Sequence, residues 1–378
     1  AGRGGGGQGK GRGRGGADAR APAGAPSGGL VRRPEKQKPG RGGKGGGRGG
    51  KSQAAAGKGG RRNGAGPMPD AEVVEVVRED GMFRHSEIIR AHSDAVMSVV
   101  MSSDCIYTAS RDKLLKRWKV SKDASGKFQL LPELEVPLGD VCWCLISAGD
   151  WLLCGMGDGS IKGFQQTGKE ALLKGHSKRV CCLLTHLHVL LSGSLDGSVR
   201  CWQMDANTQT FACTHSITEG ISGAVQCLAV LGERLWVGGT SGIAVVELGT
   251  LQVSAQIPPK KFVAGLLQFE GHMIVVYADG SVSIFDAEGV LKHNQPALPA
   301  GPVLCVAGLE CGPRLLCGHA KGQVSSITLP MFQLKKHWQA LQRCKVQTIC
   351  AVGHDGIFVL GAENGNLQLW QRDGSVDL

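Results

Sequence analysis

Residues 175–202, GHSKRVCCLLTHLHVLLSGSLDGSVRCW, contain side chains that could perform nucleophilic catalysis. They include His176, Ser192, Ser194 and Asp196. A hydroxyl activated by a histidine, which a carboxylate in turn orients, is the arrangement used for acyl transfer. The G-x-S-x-G turn that exposes such a serine in many hydrolases is missing from the chain. A catalytic interpretation of this set therefore has to be weighed against a structural one.

The same residue types recur with the same spacing earlier in the chain. Residues 91–118, AHSDAVMSVVMSSDCIYTASRDKLLKRW, place His92, Thr108 and Asp112 at the corresponding positions, and both stretches end on a tryptophan, here Trp118. A catalytic triad needs to occur only once, whereas a set that recurs at fixed spacing indicates a repeated structural unit.

A turn motif marks this unit and occurs seven times, at intervals of 38 to 46 residues. Short apolar runs such as SVVMS and CWCLIS precede the turns, and no 3.6-residue periodicity is sustained over a helix length, which predicts an all-β protein. The turns are Asp112-Lys113, Asp158-Gly159, Asp196-Gly197, Ser241-Gly242, Asp279-Gly280, Lys321-Gly322 and Asn364-Gly365. Five positions further on, a second column holds six bulky apolar residues and one acid: Trp118, Phe164, Trp202, Glu247, Phe285, Ile327 and Trp370.

A period of about 40–45 residues marked by Gly-His, Asp-Gly and Trp is typical of WD repeats, and residues 82–372 resemble the WD-repeat (WD40) family of β-propellers. The competing repeat fold, a parallel solenoid, usually has a shorter period. The resemblance implies seven blades. The lone segment MFRHSEIIR, residues 82–90, would complete the last blade and hide its edge. Blades that have lost the polar marks, the fourth above all, are expected to hold by apolar packing.

The resemblance also assigns a role to the recurring polar residues. In the family, the turn Asp, the loop His, the strand Ser or Thr and the Trp indole form one hydrogen-bonded chain, because buried polar groups need partners. We therefore expect structural tetrads instead of a triad, and we predict no enzyme activity, no cofactor and no small-molecule substrate. The tetrads are His92, Thr108, Asp112 and Trp118 in the first unit and His176, Ser192, Asp196 and Trp202 in the third.

Three further histidines were considered as functional groups. His186 and His188, in THLHVL, would share one strand face at i and i+2, but no third ligand is near in sequence, so we expect no metal site. His319, in LLCGHAKG, is predicted to lie in a turn and to face solvent or a partner.

The first 66 residues differ from the rest of the 378-residue chain. They carry 16 Lys and Arg against two acids, whereas the remainder carries 27 basic and 30 acidic residues. With almost no large apolar side chains, this tail is expected to be disordered. Four Arg-Gly-Gly triplets predict nonspecific contact with RNA or with an acidic partner. A passive solubilising leader and an organelle transit peptide are the alternatives. The triplets begin at Arg3, Arg14, Arg41 and Arg48.

A glycine-rich basic leader followed by a propeller resembles plant-type proteins that join a CCCH zinc finger to WD repeats. The closing segment GIFVLGAENGNLQLW, residues 356–370, is similar to the end of that propeller. The family's finger needs three Cys and one His, and residues 67–91 contain His85 but no Cys. Zinc-dependent RNA binding is therefore not carried over to this chain.

The loops at one face of the propeller are predicted to bind partners, because binding residues are commonly found on loops held by a rigid scaffold. Basic residues outnumber acids there, so we expect a partner with an acidic or phosphorylated segment. The acids expected on this face are Asp94, Asp140, Glu219 and Glu363. The basic residues of the predicted rim are Arg111, Lys178, Arg179, Lys260, Lys261, Lys321, Arg343 and Lys345.

Cysteine usage bounds the compartment. All 14 cysteines follow the tail, none forms a C-x-x-C pair, and the close pairs Cys142/Cys144 and Cys181/Cys182 lie in apolar runs. We expect buried, reduced thiols and a cytoplasmic or nuclear protein, with neither signal peptide nor membrane span. The predicted organisation is a tail (1–66), a linker (67–81), the propeller (82–372) and a C-terminal tail (373–378).

Two classes of function stay open besides the disfavoured enzyme. The first is a protein-interaction scaffold, which includes a substrate receptor of a ubiquitin ligase. The second is an RNA-associated factor in which the tail and the propeller rim act together. Fold alone does not choose between them.

Overall fold

A computed structural model describes residues 83–372 except 206, 209, 259, 260, 310–312 and 353–355. The predicted tail, the linker and residues 373–378 lie outside the described residues. The described part contains 28 β-strands and no helix. It accordingly holds no helix long and apolar enough to cross a membrane.

The first three blades are built from consecutive strands. Blade 1 comprises β2 (Val96–Ser102), β3 (Cys105–Ser110), β4 (Leu114–Lys122) and β5 (Phe128–Pro137). Blade 2 comprises β6 (Cys142–Ala148), β7 (Trp151–Met156), β8 (Ile161–Gln165) and β9 (Glu170–Leu173). Blade 3 comprises β10 (Val180–His186), β11 (Val189–Ser194), β12 (Val199–Met204) and β13 (Phe211–Ile217).

The remaining blades repeat this plan, except that the last takes its fourth strand from the start of the described chain. Blade 4 comprises β14 (Val225–Leu231), β15 (Arg234–Gly239), β16 (Gly242–Glu247) and β17 (Val253–Ile257). Blade 5 comprises β18 (Val263–Phe269), β19 (His272–Tyr277), β20 (Val282–Phe285) and β21 (Leu291–Gln295). Blade 6 comprises β22 (Val303–Leu309), β23 (Arg314–His319), β24 (Gln323–Thr328) and β25 (Leu334–Gln339). Blade 7 comprises β26 (Val346–Val352), β27 (Ile357–Ala362), β28 (Asn366–Arg372) and β1 (Phe83–Arg90).

Each blade is a four-stranded antiparallel sheet whose strands we call a to d from the inside outwards. Each a strand contacts the a strand of the next blade, and β26 contacts β2, so the seven sheets close into a ring. The prediction of a seven-bladed, all-β propeller is confirmed. We call the face with the d–a loops and b–c turns the upper face, and the face with the a–b turns and c–d loops the lower face.

The ring is closed by the first strand of the described chain, as the sequence predicted. Strand β1 runs antiparallel to β28, from Phe83 opposite Arg372 to Arg90 opposite Asn366. The Phe83 ring lies 5.8 Å from the Trp338 ring of blade 6. Segments far apart in sequence thus form one sheet, and β28 has no exposed edge.

The b–c turns share one geometry in six blades. Each has three residues (blades 1, 6 and 7) or four (blades 2, 3 and 5), and the N–H of the third donates to the carbonyl of the residue before the turn. That third residue has a left-handed backbone, which glycine adopts at least cost. At Gly365 a Cβ would also lie 2.2 Å from the carbonyl oxygen of His92. The six residues are Lys113, Gly159, Gly197, Gly280, Gly322 and Gly365.

Blade 4 departs from this geometry, and the predicted register there is wrong. Gly239 pairs with Gly242, so its b–c turn has only two residues, whereas the others have three or four. The position that Trp118 holds opposite Ile106 in blade 1 is held by Val246, opposite Leu235, and not by Glu247. Val246 is buried. The second column is therefore apolar in all seven blades.

Glu247, which the sequence alignment placed among the bulky apolar residues of the second column, is a partner in an ion pair. Its carboxylate accepts a hydrogen bond from Nε of Arg234 at 2.7 Å. Arg234 also donates to the carbonyl oxygen of Ala287 at 2.7 Å, which links blade 4 to the c–d loop of blade 5. The acid therefore belongs to an ion pair at the junction between blades, on the lower face.

Small side chains allow neighbouring blades to approach, and this explains much of the cysteine content. The third residue of each a strand pairs with a residue of strand b, and the two together stay small. A Cβ added at Gly193 would lie 2.6 Å from Sγ of Cys182 and 2.4 Å from Val225 of the next blade. The pairs are Ser98–Ala109, Cys144–Gly155, Cys182–Gly193, Cys227–Gly238, Gly265–Val276, Cys305–Gly318 and Thr348–Gly361.

Blade 5 reverses the order of sizes, with glycine on strand a and valine on strand b. We therefore expect Gly193→Val to destabilise the protein by roughly 2 kcal/mol through overpacking. Adding Cys182→Gly should recover at least half of that loss, because the pair then copies Gly265–Val276. Chemical denaturation of the two single variants and the double variant measures the coupling. Additive losses would contradict this account of the junction.

Candidate interaction surface

The recurring polar residues of blade 1 form one buried chain of hydrogen bonds. Nδ1 of His92 lies 2.9 Å from Oδ2 of Asp112, and Nε2 lies 2.8 Å from Oγ1 of Thr108. The indole N–H of Trp118 donates to the same Oγ1 at 2.9 Å. A carboxylate only accepts, so the ring donates from Nδ1 and accepts the threonine proton at Nε2. Every member therefore has a partner.

Blade 3 repeats this chain with a serine. His176 lies 3.0 Å from Asp196 and 2.8 Å from Ser192, and Trp202 donates to Ser192 at 2.8 Å. The hydroxyl that a triad would use as its nucleophile is fully buried and already accepts the indole N–H. This set therefore ties the d–a loop, the b–c turn and strands b and c together and presents no reactive oxygen at the surface.

The tetrads are electrostatically stable when the imidazoles are neutral. Burial lowers the pKa of His92 and of His176, because desolvation disfavours the charged ring. Burial alone would raise the pKa of Asp196, but hydrogen bonds from Ser198 and from the Ser177 N–H outweigh it and hold that pKa at about 2. The aspartate is therefore ionised at neutral pH.

His319 is not where the sequence analysis expected it. The prediction that it faces solvent or a partner is wrong, because the residue ends strand β23 and is fully buried. Nδ1 donates to the carbonyl oxygen of Gly301 at 2.8 Å, and Nε2 accepts from Ser325 at 2.7 Å. In blade 3 the hydroxyl of Ser194 likewise donates to the d–a loop, at the carbonyl of Lys178. His319 thus takes the position that Ser194 has at the end of strand b, and it holds the d–a loop of blade 6 in the same way, although this blade has no complete tetrad.

Blade 7 shows a second substitute that the sequence analysis missed. Its Trp370 has no Ser or Thr partner, and the indole N–H donates instead to Oε1 of Gln368 at 3.1 Å. Both residues are buried. The sequence signal for this contact was the polar Gln368, two positions before Trp370.

The paired histidines of THLHVL do not share a strand face. Strand β10 ends at His186, and β11 begins at Val189, so His188 lies in the turn between them. Leu187, in the same turn, has a left-handed backbone with φ of 52°. No group of three metal-ligating side chains occurs in the part of the chain that the structure describes.

The upper face is assembled by the same backbone bond in every blade. The carbonyl of the residue before strand a accepts the N–H of the first b–c turn residue in each blade. This bond fixes each d–a loop against the b–c turn. The accepting residues are Ala95, Val141, Arg179, Ala224, Phe262, Pro302 and Lys345.

The structure places the predicted rim residues in these loops and turns. Arg111 and Lys321 lie in b–c turns, the others lie in d–a loops, and Lys260 lies outside the described residues. Two of them are paired with acids: Lys261 with Asp279 at 3.0 Å, and Lys345 with Glu363. Of the predicted rim residues that the structure describes, four are exposed and have no acidic partner: Arg111, Lys178, Lys321 and Arg343.

Arg179 stands apart from the other rim residues because it is half-buried. Its guanidinium carbon lies 3.9 Å from the centre of the Trp143 ring, a cation–π contact. Its Nε is buried and has no acceptor among the described residues.

Trp143 reaches this position through a β-bulge that all seven a strands share. The bulge falls at the second residue of each strand, and such irregularities at barrel rims redirect side chains. The bulge residues are partly exposed although the residues before them are buried. They are Met97, Trp143, Cys181, Gln226, Ala264, Leu304 and Gln347.

The tetrad predicts a specific loss of stability. Asp196→Ala should cost roughly 2 kcal/mol, because it removes the acceptor of His176, Ser177 and Ser198 together. Asp158→Ala is the matched control, since that turn acid of blade 2 accepts only from Ser160. Thermal or chemical denaturation at neutral pH measures both. Equal losses in the two variants would contradict the special role of the tetrad.

The contribution of Asp196 should also depend on pH. Its pKa in the folded chain is about 2 and its ordinary value is 3.8, so the stabilisation is complete above pH 3.8 and is lost as pH falls towards 2. The difference in unfolding free energy between the natural chain and Asp196→Ala should therefore shrink across that window. A difference that is constant down to pH 2 would contradict the assigned pKa.

Comparison with known proteins supports the fold from sequence and from structure. Residues 168–203 match the family described as "WD domain, G-beta repeat". The WD40 β-propeller domain of Doa1 superimposes with a TM-score of 0.65 and 16% identity, and the match covers 78% of this chain and 98% of that one. At this level of identity the likeness concerns the fold alone.

Among curated proteins, plant proteins with a CCCH domain are similar to this chain. Zinc finger CCCH domain-containing protein 59 of Arabidopsis thaliana is 25% identical over 295 residues, which are 75% of this chain and 60% of that protein. Protein 17 of the same kind from Oryza sativa subsp. japonica is 25% identical over 298 residues. Telomerase protein component 1 of Rattus norvegicus is 26% identical over 227 residues, with 8% of its length covered.

The match to the WD repeat lies on the unit with the complete blade 3 tetrad, and the fold agrees with it in every blade. The chain is a seven-bladed β-propeller with one unit that matches a WD repeat, and over most of its length it is similar to plant proteins named for a CCCH zinc finger domain.

Proposed function

We propose that the protein is a non-enzymatic interaction scaffold whose upper face binds an acidic or phosphorylated segment of a partner protein. The half-buried Arg179 stacked on the Trp143 ring, next to the exposed Lys178, carries this proposal. Carboxylates and phosphates are the acceptors that a guanidinium binds best, because its N–H groups match their geometry.

The surroundings of Arg179 support the same ligand chemistry. Lys178 precedes it in the d–a loop of blade 3, is exposed and has no acidic partner among the described residues. Trp and Arg are the residues most enriched at binding hot spots, and a half-buried Arg held on a Trp ring loses little freedom on binding. Elsewhere on the upper face, exposed apolar side chains add contact area: Phe262 before blade 5 and Leu304 in blade 6.

The scaffold proposal includes a substrate receptor of a ubiquitin ligase as one form of the same activity. Such a receptor and a stable assembly factor both present a rigid face to another protein, so they differ in the partner and not in the chemistry of this surface.

A second candidate, RNA association, is favoured by the four Arg-Gly-Gly triplets of the tail, whose arginines can contact phosphates and stack on bases.

Charge reversal at the proposed site should weaken partner capture. We expect Lys178→Glu/Arg179→Glu to reduce recovery of stoichiometric protein partners from ribonuclease-treated extract at least tenfold at low salt, and less at high salt. The matched control is Lys119→Glu/Lys335→Glu, which changes the net charge equally at exposed positions away from the upper face. Equal recovery with both variants would contradict the proposed site.

A further inference from the structure

A second basic surface lies on the opposite side of the propeller. A cleft of about 230 Å³ separates the outer strand of blade 7 from the c–d turn of blade 1. We call it the seam cleft. It opens where β1 begins, near the lower face, because Phe83 pairs with the last residue of β28. Its lining residues are Arg84, His85, Ser86, Ser125, Gly126, Lys127 and Gln371.

The cleft combines positive charge with hydrogen-bond donors and has no acidic residue in its lining. Arg84 and Lys127 are exposed. The nearest acids in sequence are engaged elsewhere: Asp123 accepts the N–H groups of Ser125 and Lys127, and Glu87 accepts the N–H of Leu130. Neither Arg84 nor Lys127 forms a salt bridge with these acids, although the charge of Asp123 acts on Lys127 across the same turn.

The walls of the cleft are held in place before any ligand arrives. With its amide oxygen turned towards Arg84, Gln371 accepts from Nε at 2.9 Å and from Nη2 at 3.0 Å. The hydroxyl of Ser86 donates to the carbonyl oxygen of Phe128, which joins blade 7 to blade 1. Close by, Nζ of Lys122 lies 4.5 Å from the centre of the Phe128 ring and extends the basic surface.

We propose that the seam cleft binds the phosphate backbone of single-stranded RNA. Phosphates are contacted in proteins by Arg and Lys, by Ser and Gln side chains and by backbone N–H groups, and these are the groups that line the cleft. This inference rests on the proposed RNA contact of the tail and gives it a place on the propeller. It differs from the predicted cooperation of tail and upper rim, because the described chain begins at the opposite face.

The position of the cleft in the chain makes cooperation with the tail physically reasonable. The cleft residue Arg84 follows the last tail residue, 66, by only 18 positions. A segment of that length spans at most roughly 60 Å when fully extended. One RNA strand bound by the tail would therefore be presented to the cleft at a high effective concentration, which strengthens binding without any new contact.

The test uses the full chain and a fluorescent oligouridine of about 20 nucleotides. Arg84→Glu/Lys127→Glu should weaken binding about tenfold, and the slope of log affinity against log salt should decrease by about 1.4, since each lost phosphate contact contributes about 0.7 for single strands. Lys113→Glu/Lys174→Glu is the matched control, with the same change of net charge at exposed upper-face positions outside the predicted rim, and should bind as the natural chain does. Lys127→Glu alone, in an exposed turn, guards against misfolding of the double variant.

The outcomes separate this inference from the proposed role of the tail. The seam cleft is supported if the cleft variants weaken RNA binding, whether or not replacement of the four tail arginines with alanine weakens it as well. Loss only on replacing the tail arginines would leave the tail proposal standing and overturn the cleft. Equal weakening by the upper-face control, or displacement of RNA by polyglutamate at equal charge, would also overturn it. A natural chain that does not bind the oligonucleotide would overturn both.

Discussion

Closure of the ring by β1 is the constraint on which the rest of the structure depends. Pairing of β1 with β28 gives blade 7 its outer strand, so that the c strand of this blade, like those of the other six, has no free edge. Because both ends of the described chain lie in blade 7, no blade can rotate away without breaking that sheet. The fixed positions of the loops, and hence of every surface group discussed above, follow from this closure.

Within the closed ring, repeated backbone geometry has allowed the side chains to diverge. The carbonyl before each a strand and the common bulge recur in all blades, whereas complete tetrads occur only in blades 1 and 3 of the described residues. Elsewhere His319 or Gln368 satisfies a buried polar group in another way. Trp143 and Arg179 belong to no tetrad, and their contact distinguishes the upper face at blades 2 and 3.

The sequence was sufficient for the number of blades, the closing segment and the residues of the two tetrads, because these depend on periodicity and on matched spacing. It failed where one residue changed the register. A b–c turn of only two residues put Glu247 in the column that Val246 occupies. It also failed for His319, whose burial depends on a loop carbonyl far away in sequence, and for the contact of Arg179 with Trp143, which depends on a bulge. No local pattern encodes such contacts between blades.

Adjacent isoleucines of β1 offer the most direct test of the closure. Ile89 packs against the apolar cluster that contains Leu367 and Leu369, whereas Ile88 is 46% exposed on the other side of the strand. We would measure equilibrium unfolding of Ile89→Asp and Ile88→Asp. The account predicts that Ile89→Asp lowers the stability of the whole propeller in one cooperative transition and that Ile88→Asp changes it little. Equal behaviour of the two variants would contradict the central role of closure.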